Sequence, residues 1–309
     1  MLIWELMGAL VGAGFASGKE IASFFAQYGS WGYLGAAAAV MALVWFADTD
    51  VSLCWQGRII ASVWRFLLAA LLTATGGAML SAAGEAAALM VKMRHAYWMG
   101  ILFTVLFAWY LAHYTLTGFS WVSKGMMFTF IVLLVVGLFM PRTDAAVLSD
   151  PQAVTAMIRG LCYGGFNATL LIPVVQAHHG DHCKSALKGA GLMTAALLSV
   201  GIAVFQRHPE LLYEPLPFVG LMQPIGKLGY YLSGACLYLA VLSTLTACLR
   251  GLGKRYTPLI GIVMISLLGF SHVIEYAYTI LGGACCLMLL WAKFRNCSGR
   301  AFISRRDML

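Results

Sequence analysis

The feature that most constrains this chain is its succession of apolar runs, each followed by a short polar or charged stretch. A helix crossing the hydrocarbon core of a bilayer needs roughly 20 apolar residues. Lipid satisfies no backbone hydrogen bond, so each such run must close its own ladder as a helix. With 61% hydrophobic and only 10% charged side chains over 309 residues, folding in water would expose more apolar surface than a soluble protein carries. The punctuation predicts helices near 2–27, 31–48, 62–90, 96–113, 119–140, 152–177, 185–206, 226–250, 256–270 and 273–294. The expected fold class is an all-α integral membrane protein of about ten transmembrane helices, with lipid as its solvent and no room between runs for a separate soluble domain.

The net charge of +8 does not point to nucleic acid, because Lys and Arg sit in clusters between apolar runs and not along one face. One set of connections collects Arg58, Arg65, Lys124, Lys184, Lys188, Arg250, Lys254, Arg255, Lys293, Arg295, Arg300, Arg305 and Arg306. The other collects Lys92, Arg94, Arg142, Arg207 and Lys227. The positive-inside rule then predicts a multi-pass protein of the cell membrane with both termini, including a basic tail over 295–309, in the cytoplasm. The first run has no basic n-region and carries Glu5, so it reads as a first membrane helix and not as a cleaved signal. The eight cysteines lack paired CxxC spacing and read as small packing residues.

The first run contains Gly8, Gly12, Gly14 and Gly18 within Gly12-Ala13-Gly14-Phe15-Ala16-Ser17-Gly18-Lys19-Glu20. The sixth carries Tyr163-Gly164-Gly165-Phe166-Asn167 near its middle. Small residues four apart also serve close helix packing. Two glycine-interrupted runs half a chain apart, however, point to a transporter built of two five-helix inverted repeats, 1–140 and 152–294, with broken first and sixth helices around a midplane site. A helix broken in mid-membrane frees N–H groups that attract a carboxylate and carbonyls that coordinate a cation. Gly12, Ala13, Gly14, Phe15, Ser17, Glu20, Tyr163, Gly164, Gly165, Phe166 and Asn167 are the expected substrate-binding residues.

The run GAGFASGKE resembles that of the YkvI-like membrane proteins, a branch of the amino acid, polyamine and organocation superfamily with the leucine-transporter fold. That resemblance implies a cation site built from the carbonyls of Gly8 and Val11 with Ala240, Ser243 and Thr244 of the eighth run. Residues at i, i+3 and i+4 share a helix face, and these two hydroxyls alternatively serve helix–helix hydrogen bonding. Ala9, Ala13 and Phe15 offer no polar side chain for a second sodium.

An ionisable residue inside the membrane is a functional hypothesis in its own right. Glu20 is the foremost: it carries a proton, binds a substrate amine, or pairs with Lys19 or Arg159. Glu85 and Glu275 lie near expected helix ends, and Lys124 snorkels from one. His178, His179, Asp181, His182 and Cys183 have metal-binding composition but read as a solvated turn. The stretch from Arg207 to Gly226, with four prolines, is the longest polar connection and is either a lid or a plain loop. No HExxH, GxSxG or pair of intramembrane aspartates supports an enzyme. The expectation is a secondary transporter, symporting an amino acid or similar zwitterion with sodium or a proton and no other cofactor; the alternative is a transporter-like receptor. Oligomeric state is left open.

Overall fold

The computed structural model describes residues 2–49, 51, 58–91, 93, 95–114, 119–142, 152–177, 181–253 and 256–306. Among them the chain is helical, with no strand. In order, the helices are α1 (Leu2–Leu10), α2 (Ala13–Ala16), α3 (Lys19–Phe24), α4 (Trp31–Ala47), α5 (Arg58–Val91), α6 (Ala96–Tyr114), α7 (Phe119–Phe139), α8 (Ala153–Ala177), α9 (Asp181–Arg207), α10 (Pro217–Leu221), α11 (Lys227–Leu252), α12 (Tyr256–Ser266), α13 (Phe270–His272) and α14 (Tyr278–Arg306). Among the described residues, six helical stretches are long and apolar enough to cross a membrane: Arg58–Val91, Ala96–His113, Ala153–Gln176, His182–Arg207, Lys227–Leu252 and Phe270–Arg295. Trp31–Ala47 and Met127–Phe139 are shorter apolar helices. The protein is a multi-pass, all-α membrane protein.

Helix α5, at 34 residues, is about 51 Å long at about 1.5 Å per residue, well beyond the roughly 30 Å of hydrocarbon. Its stretch from Ala74 to Gly84 is buried throughout, with Gly76 and Gly77 against Ile262 and Ile265 of α12 and Gly84 against Tyr97 of α6. The glycines that make this run look ill-suited to lipid therefore face protein.

The first run is broken, and it runs through the centre of the molecule. Its pieces pack against α5, α7, α8, α9 and α11, and Leu6, Met7, Ala13, Phe15, Ile21 and Phe24 are all 1% exposed or less.

The sixth run is not broken. Helix α8 continues from Ala153 to Ala177 through Gly164 and Gly165, and even Pro173 is carried inside it. The physical reason is packing. Gly160 abuts the backbone of Gly35, and Gly164 abuts that of Ala39, so α4 and α8 cross along a seam of small residues spaced by four. Gly165 faces Cys286 and Gly282 of α14 in the same way. Inside the helix, Asn167 Nδ2 donates to the Tyr163 carbonyl at 3.0 Å and Thr169 Oγ1 to that of Gly165 at 2.8 Å, so its polar groups are satisfied locally. The expected pairing of broken first and broken sixth helices is thus corrected to one broken segment. A second irregularity lies elsewhere: Val273–Ala277 forms a π-helical turn entering α14, preceded by Gly269 at φ 86°.

Candidate functional site

The break begins where α1 ends. Val11 still donates to the Met7 carbonyl at 2.8 Å, but Gly12 turns to extended backbone (φ −76°, ψ −177°) and the ladder stops. Among the described residues no backbone N–H reaches the carbonyls of Gly8, Leu10 or Val11. The N–H groups of Gly12, Ala13, Gly14 and Phe15 likewise find no backbone carbonyl. Such groups in a buried segment demand a partner.

A second break follows at Ser17 and Gly18, and here the chain satisfies itself. Ser17 Oγ donates to the Gly14 carbonyl at 2.7 Å and accepts from the Lys19 N–H at 3.1 Å, while its carbonyl takes the Phe218 N–H at 3.0 Å. Ser17 is therefore a hinge-fixing residue and not a free ligand. Gly18 sits at φ 82°, left-handed backbone that favours glycine, and the Phe218 ring leaves a Cβ there only 2.9 Å.

Glu20 points back from α3 over this region. It is 7% exposed, its Oε2 accepts the Tyr163 hydroxyl at 2.9 Å, and its other oxygen lies against Gly14, where a Cβ would collide with it. Neither expected cation pairs with it. Lys19 Nζ reaches the Glu214 carbonyl at 3.1 Å and that of Leu212 at 3.4 Å. Arg159 donates to the Glu275 carbonyl at 3.2 Å and Thr279 Oγ1 at 3.1 Å. At the turn after α3, burial pushes the Tyr28 phenol up, against the opposing pull of Arg159. A buried carboxyl with one phenol donor and no cation at ion-pair distance is costly when ionised.

Aromatic rings enclose this group. Tyr163 lies 5.2 Å from both Phe24 and Phe25, and Phe166, one helical turn on, stacks on Tyr278 at 4.2 Å. The Tyr278 hydroxyl is buried with no hydrogen-bond partner, within electrostatic range of Glu20 and beside Thr75. Phe15 turns away, edge-on to Phe130 at 5.1 Å. Of the expected substrate residues, the structure joins Gly12, Ala13, Gly14, Glu20, Tyr163 and Phe166 around the break. Asn167, Gly164 and Gly165 serve α8 and its seams.

The expected cation residues are partly united. Thr244 Oγ1 of α11 stands 3.7 Å from where a Gly12 Cβ would be, so the break lies alongside that hydroxyl. Ser243 Oγ donates to the Ala240 carbonyl at 2.9 Å within α11. The stretch between α9 and α11 is a folded cover and not a plain loop. Pro209–Tyr213 and Pro217–Leu221 are helical, and the fully buried Phe218 ring packs on Phe130 and Phe205 at 5.6 Å each while its N–H holds Ser17. His178 and His179 of the expected turn, and the side chains of Lys124 and Asp181, lie outside the described residues. Among the described residues no three His, Cys, Asp or Glu side chains come together as metal ligands.

Sequence reasoning missed Tyr278, Phe24, Phe25 and Phe218. Rings are common in membrane helices, and nothing local marks those that converge. The one available signal was Pro215-Leu216-Pro217-Phe218, a rigid presentation of a large ring in a polar connection.

No family model and no curated protein matches the chain. Solved structures do. One mutant form of the manganese transporter of Eremococcus coleocola is similar with a TM-score of 0.53 at 14% identity, over 94% of this chain and 76% of that one. A second mutant form gives 0.52 at 15% identity over the same shares. These neighbours overturn the assignment to the YkvI-like proteins and their superfamily. The GAGFASGKE run misled because glycine, alanine and serine gather wherever a helix breaks and packs closely, whatever the ancestry. At this identity the likeness is one of fold, and the chain has the fold of a membrane transporter.

Proposed function

We propose that this chain is a secondary active transporter that moves an amino acid or similar small zwitterion past the first-helix break by alternating access. The observation that carries the reading is the buried break itself, with N–H groups from Gly12 to Phe15 that meet no backbone carbonyl beside a Glu20 carboxyl that has no cation. A zwitterion meets both demands, its carboxylate on the N–H groups and its ammonium on Glu20. The carbonyls of Gly8 and Val11, with the Ser243 and Thr244 hydroxyls, are the oxygen donors we assign to a coupling sodium ion; a proton is the alternative coupling ion. In this reading α1–α3, α12 and the shorter α4 and α7 also cross the bilayer. That makes ten crossings, with both termini in the cytoplasm and Phe218 and Lys19 closing the outer side.

The fold neighbours transport manganese, which makes a divalent metal the second reading. The donor chemistry favours the first, because a divalent ion takes several hard ligands with charge to match, and beside the neutral carbonyls and hydroxyls assigned to sodium the break has one carboxyl, with no cluster of three His, Cys, Asp or Glu among the described residues. Uptake into proteoliposomes tests both. Wild-type protein is expected to accumulate one or more amino acids under an imposed sodium or proton gradient, with accumulation lost in Glu20→Gln. Accumulation of manganese instead would establish the second reading, and binding without accumulation would make the protein a receptor.

A further inference from the structure

We infer that the Glu20 carboxyl holds a proton and the substrate's ammonium by turns, so that each amine entering the site expels one proton. The inference rests on the reading of Glu20 as the amine-binding group.

A carboxylate needs one positive charge to be stable in a buried site, and two would overcompensate it. The groups facing Glu20 supply none. From α8 come the Tyr163 hydroxyl, which donates to it, and Arg159, held at Glu275 and Thr279. From α14 comes the unpartnered Tyr278 hydroxyl, with Cys248 of α11 beyond it. Helix α9 presents Gly201 to α3 at Ile21. From the cover, Glu210 pairs with His208 at 3.6 Å. Lys19, next in the chain, is turned to the cover's carbonyls, drawn by the carboxyls of Glu214 in the cover and Glu275 in the π turn packed on α3, which themselves add no positive charge. The empty site is therefore stable with Glu20 as a carboxylic acid. An arriving ammonium has Glu20 and the free oxygen of Tyr278 as acceptors, with aromatic faces around them.

The exchange is balanced. The Glu20 O–H bond breaks, its proton leaves to water on the side to which the site is open, and the carboxylate takes the ammonium's charge. No electrons move, and the summed charge of Glu20 and the ammonium is zero before and after; a zwitterion's own carboxylate is met separately, by the N–H groups of the break. Amine and proton consequently travel in opposite directions across Glu20, whatever ion occupies the Gly8 and Thr244 region.

The test uses purified full-length protein in detergent with a panel of the amino acids, methylammonium and ethylammonium. Binding is read as thermal stabilisation between pH 5.5 and 8.5, and proton release by a pH dye in weak buffer. At acidic pH about one proton is expected per ligand bound, with affinity falling up to tenfold per pH unit. Glu20→Gln is expected to keep its melting transition while losing both. Binding with no proton release and equal affinity across the range would overturn the exchange and leave the transporter reading in place. Proton-linked binding that survives in Glu20→Gln would overturn the assignment to Glu20. No binding of any member at any pH would bring down the amine reading and the exchange together.

Discussion

The first run and α8 are both rich in glycine and both packed into the core along that stretch, yet one is broken and the other is not. In α8 the glycines at 160 and 164 lie on one face and meet Gly35 and Ala39 across the seam, so their missing side chains are filled by another backbone. In the first run Gly12 meets only Thr244 at ordinary distance, and Gly18 adopts a backbone few other residues take. Glycine in a membrane helix thus has two opposite uses. It lets two intact helices touch, or it lets one helix stop. The broken segment interrupts its own hydrogen-bond ladder at Gly12, whereas α8 carries its ladder through Gly164 and Gly165.

Substitutions sharpen this contrast, and Gly160→Leu should have the largest effect. Its Cβ meets the Gly35 carbonyl, and overpacking of this kind costs about 3 kcal/mol, a fall of roughly 6 °C or more in melting temperature. Gly18→Ala comes next, at about 1–2 kcal/mol for left-handed backbone, read in the same melts. Tyr163→Phe removes the single donor to Glu20 for about 1 kcal/mol but should lower uptake far more than stability. Gly12→Ala should be neutral or stabilising by about 0.5 kcal/mol, since its backbone suits alanine. The added methyl beside Thr244 should nonetheless weaken the sodium dependence of uptake several-fold. If Gly12→Ala unfolds the protein while Gly160→Leu does not, the two uses of glycine have been assigned to the wrong helices.

Much of the architecture was legible because lipid leaves the backbone so few options. Run length gave helices, and Gly12, Gly14 and Gly18 marked the break and placed Glu20 beside it. The fate of Gly164 and Gly165 was not legible, since the residues that fill their space belong to α4 and α14, far away in sequence. The same holds for Tyr278, whose position depends on a π turn with no local signature. Phe218 finds Ser17 only through tertiary packing. The family resemblance rested on nine residues whose composition reflects backbone geometry. The sequence also left Glu20 three roles, and only the placement of Lys19 and Arg159 on carbonyl oxygens removed the ion-pairing one.

Amide hydrogen exchange, followed residue by residue across both segments, tests the central claim most directly, because unbonded amides exchange faster than laddered ones. The account predicts fast exchange at Gly12 to Phe15, slowed when a transported solute is bound, and slow exchange at Tyr163 to Asn167 with or without it. Equal protection of the two segments in the free protein, or solute protection confined to α8, would contradict it.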